Sequence, residues 1–265
     1  MVQLNLTKEQ SIQQIDLRKN KIQLIVSKTP KLNGAKARTA LVLDFSGSAK
    51  PDYIDGTIQA IIERVYPLSA AFDDNAEMDL WIFHEGFYRI GTVTKDNFYG
   101  IVKSIMEKYQ FGGTKYAPVM KDIAKMYIEE KPEKIADYIV FLTDGRCWDE
   151  DATKKLIKEY SHWPMFWQFI GYSSREKKFG FLEELDNMEG RYLDNANFFH
   201  VKDINAMSDD DLYDLLLKEF PDWLDNPKVQ EMIAQQAPGQ KLHTETAESG
   251  NGTGKKKKGF FGLFG

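Results

Sequence analysis

The chain has 265 residues, 42% hydrophobic and 13% aromatic, which is enough for one domain with its own core and tails. A formal net charge of -5 argues against non-specific binding of nucleic acid, and a single cysteine excludes an internal disulfide. The opening MVQLNLTKEQ has no signal-peptide core, and no run reaches the roughly 18 apolar residues that span a bilayer, so a cytoplasmic, bacterial-type protein is expected.

Residues 1–35 stand apart from the rest. Val2-Gln-Leu4-Asn-Leu6, Ile15-Asp-Leu17 and Ile22-Gln-Leu24-Ile-Val26 alternate apolar with polar residues, which predicts short strands, and Pro30 and Gly34 mark the passage into the next segment. Leu41, Val42 and Leu43 then form a buried parallel strand that stops at Asp44, followed by hydroxyls at alternate positions, Ser46 and Ser48. Apolar residues at Ile54, Ile58, Ile61, Ile62, Val65 and Leu68 predict a helix over 53–71. Strands over 77–83 and 87–90 flank a turn at Gly86, and Asp96 is expected to cap a helix running to 106.

Phe111-Gly-Gly-Thr114 is a glycine loop carrying a hydroxyl just before a helical pattern over 116–129. A second apolar strand, 138–142, leads into Thr143-Asp144-Gly145. A charged helix (149–160), a strand (165–170), a helix (179–187) and a short strand (197–201) follow. Ser208 opens a helix over 209–220 that Pro221 should break, with a second helix over 222–236. Strands alternating with helices predict an α/β fold, a parallel sheet covered on both faces.

In such a sheet ligands bind where strands end and helices begin. Asp44, Ser46, Ser48, Thr114 and Asp144 all fall at such junctions, and together they offer only oxygen donors, the chemistry of a hard divalent cation such as Mg²⁺. Two carboxylates and three neutral hydroxyls leave one position of about six open for an outside ligand, which an anionic oxygen from a partner would fill. Catalytic sets are harder to find. Position 46 is Ser where an aspartyl-phosphate enzyme would need a second carboxylate, no phosphate-binding glycine loop is present, and four scattered histidines with one cysteine make no zinc set. His84, His162 and Cys147 read as packing or surface residues, and Trp163, Phe166, Trp167 and Phe169 as core, so the protein is expected not to be an enzyme.

The five residues, in this order, resemble the metal-ion-dependent adhesion site of the von Willebrand factor A (vWA) family, with every signature position filled over residues 36–205. The resemblance implies a Rossmann-like, mostly parallel six-stranded sheet with one antiparallel edge at 87–90. It also implies Mg²⁺ (or Mn²⁺) held by Asp44, Ser46, Ser48, Thr114 and Asp144, and a protein partner that offers an Asp or Glu to the metal. Leu4-Asn-Leu6-Thr-Lys8 and Ile15-Asp-Leu17 resemble the opening of TerD-type proteins. A chain joining such an opening to a vWA domain resembles the TerF-like branch of the tellurium-resistance, stress-response group. Two other functions stay open: a metal-dependent phosphoester hydrolase on the same Asp-Ser-Ser centre, and a membrane-surface adaptor acting through the tail.

The expected organisation is a β-rich segment (1–35), the vWA domain (36–205), a helical extension (206–237) and an unstructured linker (238–265). That linker is polar and glycine-rich until Lys255–258, after which Phe260, Phe261, Leu263 and Phe264 form an apolar cluster. Four cations beside four large apolars suit a second partner's groove or an anionic membrane surface.

Overall fold

The computed structural model describes residues 6–73, 75–172 and 179–242. Its sheet has six strands: β1 (Ala37–Asp44), β2 (Met78–Phe83), β3 (Phe87–Val93), β4 (Ala136–Thr143), β5 (Met165–Tyr172) and β6 (Ala196–Val201). Their order is β3-β2-β1-β4-β5-β6. All neighbours pair parallel except β3, which lies antiparallel on β2 at the edge. This is the Rossmann-like sheet with one antiparallel edge that the family resemblance implied, built on the parallel α/β pattern expected from the alternation of elements. The chain leaves β1 towards β2 on one side and returns to β4 on the other, so the switch of direction falls between β1 and β4. A crevice opens there at the carboxyl edge.

Side chains of β1 alternate between two cores, as a pleated strand requires. Leu41 and Leu43 face one cluster, Ala40 and Val42 the other. The first face is covered by α3 (Thr57–Phe72) and α4 (Ile101–Lys108), with α2 (Lys50–Ile54) leading into α3. The second is covered by α5 (Ala117–Ala124), α6 (Glu150–Tyr160) and α7 (Gly180–Asp186). Trp167 and Phe169 are buried on that second face and Phe166 on the first, so these aromatics are core.

The segment expected to be β-rich is helical instead: α1 spans Lys8–Lys28. Thr7 and Gln10 form a reciprocal capping box that starts it. Ile15 and Ile22 are buried, and Ile12, Ile25 and Val26 pack beside them. These positions satisfy the i, i+3, i+4, i+7 spacing of a helix, and the period-two alternation of 22–26 is incidental to it. Because α1 covers α3, even Glu63 and Arg64 of α3 are buried.

Three boundaries also differ from expectation. Residues 94–97 form a turn closed by Thr94 N–H to Asn97 Oδ1, so the helix expected from Asp96 starts only at Ile101. After α5 the helix widens into a π-helical turn over Lys125–Glu130. Beyond α8 (Asp209–Leu216), Pro221 opens α9 (Phe220–Leu224) rather than breaking a helix, since a first-turn proline loses no intrahelical bond. A further helix, α10 (Pro227–Gln235), follows Asn226, which caps it.

The C-terminal helices belong to the first core. Phe220 and Trp223 pack on Phe166, and Tyr138 donates its hydroxyl to Leu216 O. Arg64 fastens them: it bonds Asp209 and the carbonyls of Ile204, Met207 and Ser208, while Arg18 of α1 holds the other oxygen of Asp209. Among the described residues no helix is long and apolar enough to cross a membrane.

Candidate metal centre

Asp44 is the last residue of β1 and is fully buried at the carboxyl edge. Its Oδ1 accepts the backbone N–H of Ser46 at 2.9 Å, turning the chain so that the hydroxyls of Ser46 and Ser48 lie 3.0 Å apart. Its Oδ2 accepts the Thr143 hydroxyl at 2.9 Å and the Asp144 backbone N–H at 3.3 Å. The ends of β1 and β4 are therefore joined through one carboxylate.

The glycine loop reaches the same edge by backbone pairing. Ser46 makes a parallel bridge with Gly112; Gly47 N–H donates to Gly112 O at 2.9 Å and Gly112 N–H to Phe45 O at 3.2 Å. Phe111 stacks on Phe45 with ring centroids 3.9 Å apart, which anchors the loop from below. Thr114 follows, buried, with its carbonyl held by Trp148 N–H at 2.9 Å. Asp144 is buried just beyond β4. Asp44, Ser46, Ser48, Thr114 and Asp144 thus come from three separate stretches to one edge of the sheet.

Electrostatics mark the site as one that favours a cation. Burial, and next the charge of Asp144, push the Asp44 carboxyl up to about 6, although bonds from Ser46 and Thr143 act the other way. A divalent ion would relieve both causes at once. Two carboxylates with hydroxyls and no sulfur or imidazole suit a hard ion, and these residues fit Mg²⁺ or Mn²⁺. Among the described residues no three of His, Cys, Asp and Glu gather into a metal-type group.

Three contributors escaped the sequence reading. Thr143 spends its only proton on Asp44, so Tyr116, 2.8 Å away, is the donor to Thr143. Burial holds the Tyr116 phenol far above its ordinary range, which keeps that proton in place. Asp149 accepts the N–H groups of Tyr116 and Ala117 and so fixes the start of α5 beneath Thr114. Nothing in a Thr or Tyr within an apolar run distinguishes such a role.

Cys147 donates to Asp149, and burial pushes its thiol up to about 12, which makes it an unreactive packing residue. His162 stacks on Tyr192 with centroids 4.7 Å apart. His84 and Glu85 lie against the glycine loop, a placement the sequence did not suggest. Phe260, Phe261, Leu263 and Phe264 lie outside the described residues.

A family model for the vWA-TerF-like group, the vWA domain found in the TerF C terminus, matches residues 36–233. The uncharacterized protein YcbR of Bacillus subtilis (strain 168) is 39% identical over 251 residues, which are 93% of this chain and 96% of that protein. Among solved structures, the manganese-loaded TRAP protein of Plasmodium vivax superposes with a TM-score of 0.51 at 14% identity, covering 69% of this chain and 72% of that one. The SpRpn10 VWA domain gives 0.50 at 16% identity, covering 74% and 97%. A von Willebrand factor type A protein from Catenulispora acidiphila gives 0.48 at 14% identity over 72% of this chain, which spans only 42% of that protein. The first two of these share the fold. The family model begins at residue 36, so the matches do not show a TerD-like opening, and α1 spans Lys8–Lys28 there.

Proposed function

The chain belongs to the vWA family, in the branch found at the TerF C terminus, and on that premise we propose that it is a divalent-cation-dependent protein-interaction module. Asp44 and Asp144 would supply the charge that holds Mg²⁺ or Mn²⁺, and Ser46, Ser48 and Thr114 the neutral oxygens. The bound ion supplies the positive charge on which an Asp or Glu of a partner closes the contact. Ser48 is the exposed member of the set, so the partner approaches from its side. The TRAP neighbour is manganese-loaded, which supports the reading only in that the same fold carries a divalent ion there. The setting we propose, from the TerF description, is an assembly of the tellurium-resistance and stress-response kind. The C-terminal cluster Phe260, Phe261, Leu263 and Phe264 would engage a second partner or an anionic membrane surface.

The observation that carries this reading is the buried Asp44 carboxylate, joined to Ser46 on one side and to Thr143 and Asp144 on the other. Such a charge is costly without a cation. Affinity capture from cells by wild type and Asp44→Ala, each with Mg²⁺ or a chelator, tests the reading. A partner retained only by wild type with Mg²⁺ supports it; equal capture in all four arms overturns it.

A metal-dependent phosphoester hydrolase is the second reading, favoured by the side chains of His84 and Glu85 against Gly112 and Gly113. Those side chains engage Gly86 N–H and Gly113 N–H rather than Asp44, which weighs for the interaction module. Hydrolysis of p-nitrophenyl phosphate with Mn²⁺, abolished by Asp44→Ala, would reverse that preference.

A further inference from the structure

Beside Thr114, two side chains that belong to no part of the ligand set meet over one glycine. A Cβ at Gly113 would sit 2.3 Å from Cη2 and Cζ3 of Trp148 and 2.8 Å from Oε1 of Glu85. A Cβ at Gly112 would sit 2.3 Å from the other Glu85 oxygen. An indole and a carboxylate thus share the floor that the two glycines leave open. Both are accessible: Trp148 is 60% exposed and the Glu85 side chain 48%.

The pair is held in place. Trp148 N–H is bonded to Thr114 O, and the next residue, Asp149, grips the start of α5 with both oxygens. Gly113 N–H keeps the Glu85 carboxyl below its usual range, so it is ionised. His84 stands at its other edge: its Nδ1, which accepts Gly86 N–H at 3.1 Å, lies 3.2 Å from Glu85 Oε2.

An exposed indole alone would accept any flat or apolar group. With an ionised carboxylate at its edge, an apolar neighbour would have to strip water from a charge, whereas a cation meets both the ring quadrupole and the anion. Because the loop is already ordered, little conformational freedom is lost on contact.

We propose that Trp148 and Glu85 form a second contact point next to the metal centre that takes an arginine or lysine of the partner. The recognised surface is then an acidic residue, bound through the metal, with a basic residue close beside it. This rests on the metal-bridged reading above and adds the chemistry of the partner to it.

The test uses the immobilised full chain and a phage-displayed library of random peptides, selected in Mg²⁺ against wild type, Trp148→Ala and Glu85→Gln. In the wild-type pool, Arg or Lys a few residues from an enriched Asp or Glu should rise several-fold over the starting library. In both variant pools that basic preference should return to background while the acidic enrichment remains. Acidic residues enriched with no basic neighbour, or a basic preference unchanged in both variants, overturns the second contact point alone. A pool with no acidic enrichment, or one unaffected by chelator, overturns the metal-bridged reading and this inference with it.

Discussion

The hydroxyl of Thr143 donates to Oδ2 of Asp44 across 2.9 Å, linking the last residue of β4 to the last residue of β1. With Tyr116 behind it, the relay fixes the orientation of the most buried charge in the candidate centre. Thr143→Val removes the donor and leaves a buried carboxylate oxygen with one bond fewer. Unsatisfied buried groups cost about 1–3 kcal/mol, more when charged. Denaturant unfolding should show a loss of that size, with a weaker response to Mg²⁺. Tyr116→Phe, which keeps the Thr143–Asp44 bond, should cost less; an equal loss for both would contradict the relay.

Wild-type protein should melt higher as Mg²⁺ or Mn²⁺ is added, because a ligand bound only by the native state stabilises it by about 2.7 kcal/mol at a hundredfold excess over Kd. Asp44→Ala should melt at one temperature throughout. Identical wild-type midpoints with and without millimolar metal would count against a site in the free protein.

Without metal, stability should fall as pH rises. An unfolded aspartate titrates near 3.9, while folded Asp44 is pushed up to about 6 by burial and then by Asp144. Between those values the native state binds more protons than the unfolded chain, so the slope of stability against pH is negative. Its contribution is fully present below about pH 4 and lost once pH passes 6, a change of about 3 kcal/mol at about 1.4 kcal/mol per pKa unit. Asp137 is also pushed up to about 6, by burial against the opposing charge of Arg38, so the test is the difference between wild type and Asp44→Asn. Chemical denaturation in chelator from pH 4 to 7 should give a shallower slope for the variant; parallel curves would refute the assignment.

Arg64→Ala should loosen the C-terminal helices. The guanidinium joins α3 to Asp209 and to three carbonyls of the 204–208 stretch; Arg18 still pairs Asp209 in the variant, so the cost is that of the carbonyls left without a donor, about 1–3 kcal/mol. Limited proteolysis should cut the variant between β6 and α8 far faster than wild type. Unchanged cleavage there would show that hydrophobic packing alone holds these helices.

The apolar end can be tested without knowing its partner. A chain stopping at Thr253 lacks Lys255–258 and Phe260, Phe261, Leu263 and Phe264. Each large apolar buried on a partner contributes roughly 1.5–3 kcal/mol before ordering costs. Truncation should reduce co-precipitation from cells or flotation with anionic vesicles, and the lysines should make the binding salt-sensitive. No change in either assay would leave the cluster without this role.

Much of the architecture follows from local pattern. Apolar runs ending in Asp44 and Asp144, and a glycine pair before Thr114, announce strand and loop junctions because only a few residue types suit those backbone positions. Parallel topology then places them at one edge. Local pattern fails where two periods coincide. Ile22, Leu24 and Val26 alternate like a strand, yet Ile15, Ile22 and Ile25 also line one helical face, and only docking on α3 selects α1. The relay from Tyr116 through Thr143 to Asp44, and the meeting of Glu85 and Trp148 over Gly113, join residues tens of positions apart. Their identities carry no trace of the pairing, because a hydroxyl or an indole serves a core equally well. Tertiary packing alone decides which of them touch the site.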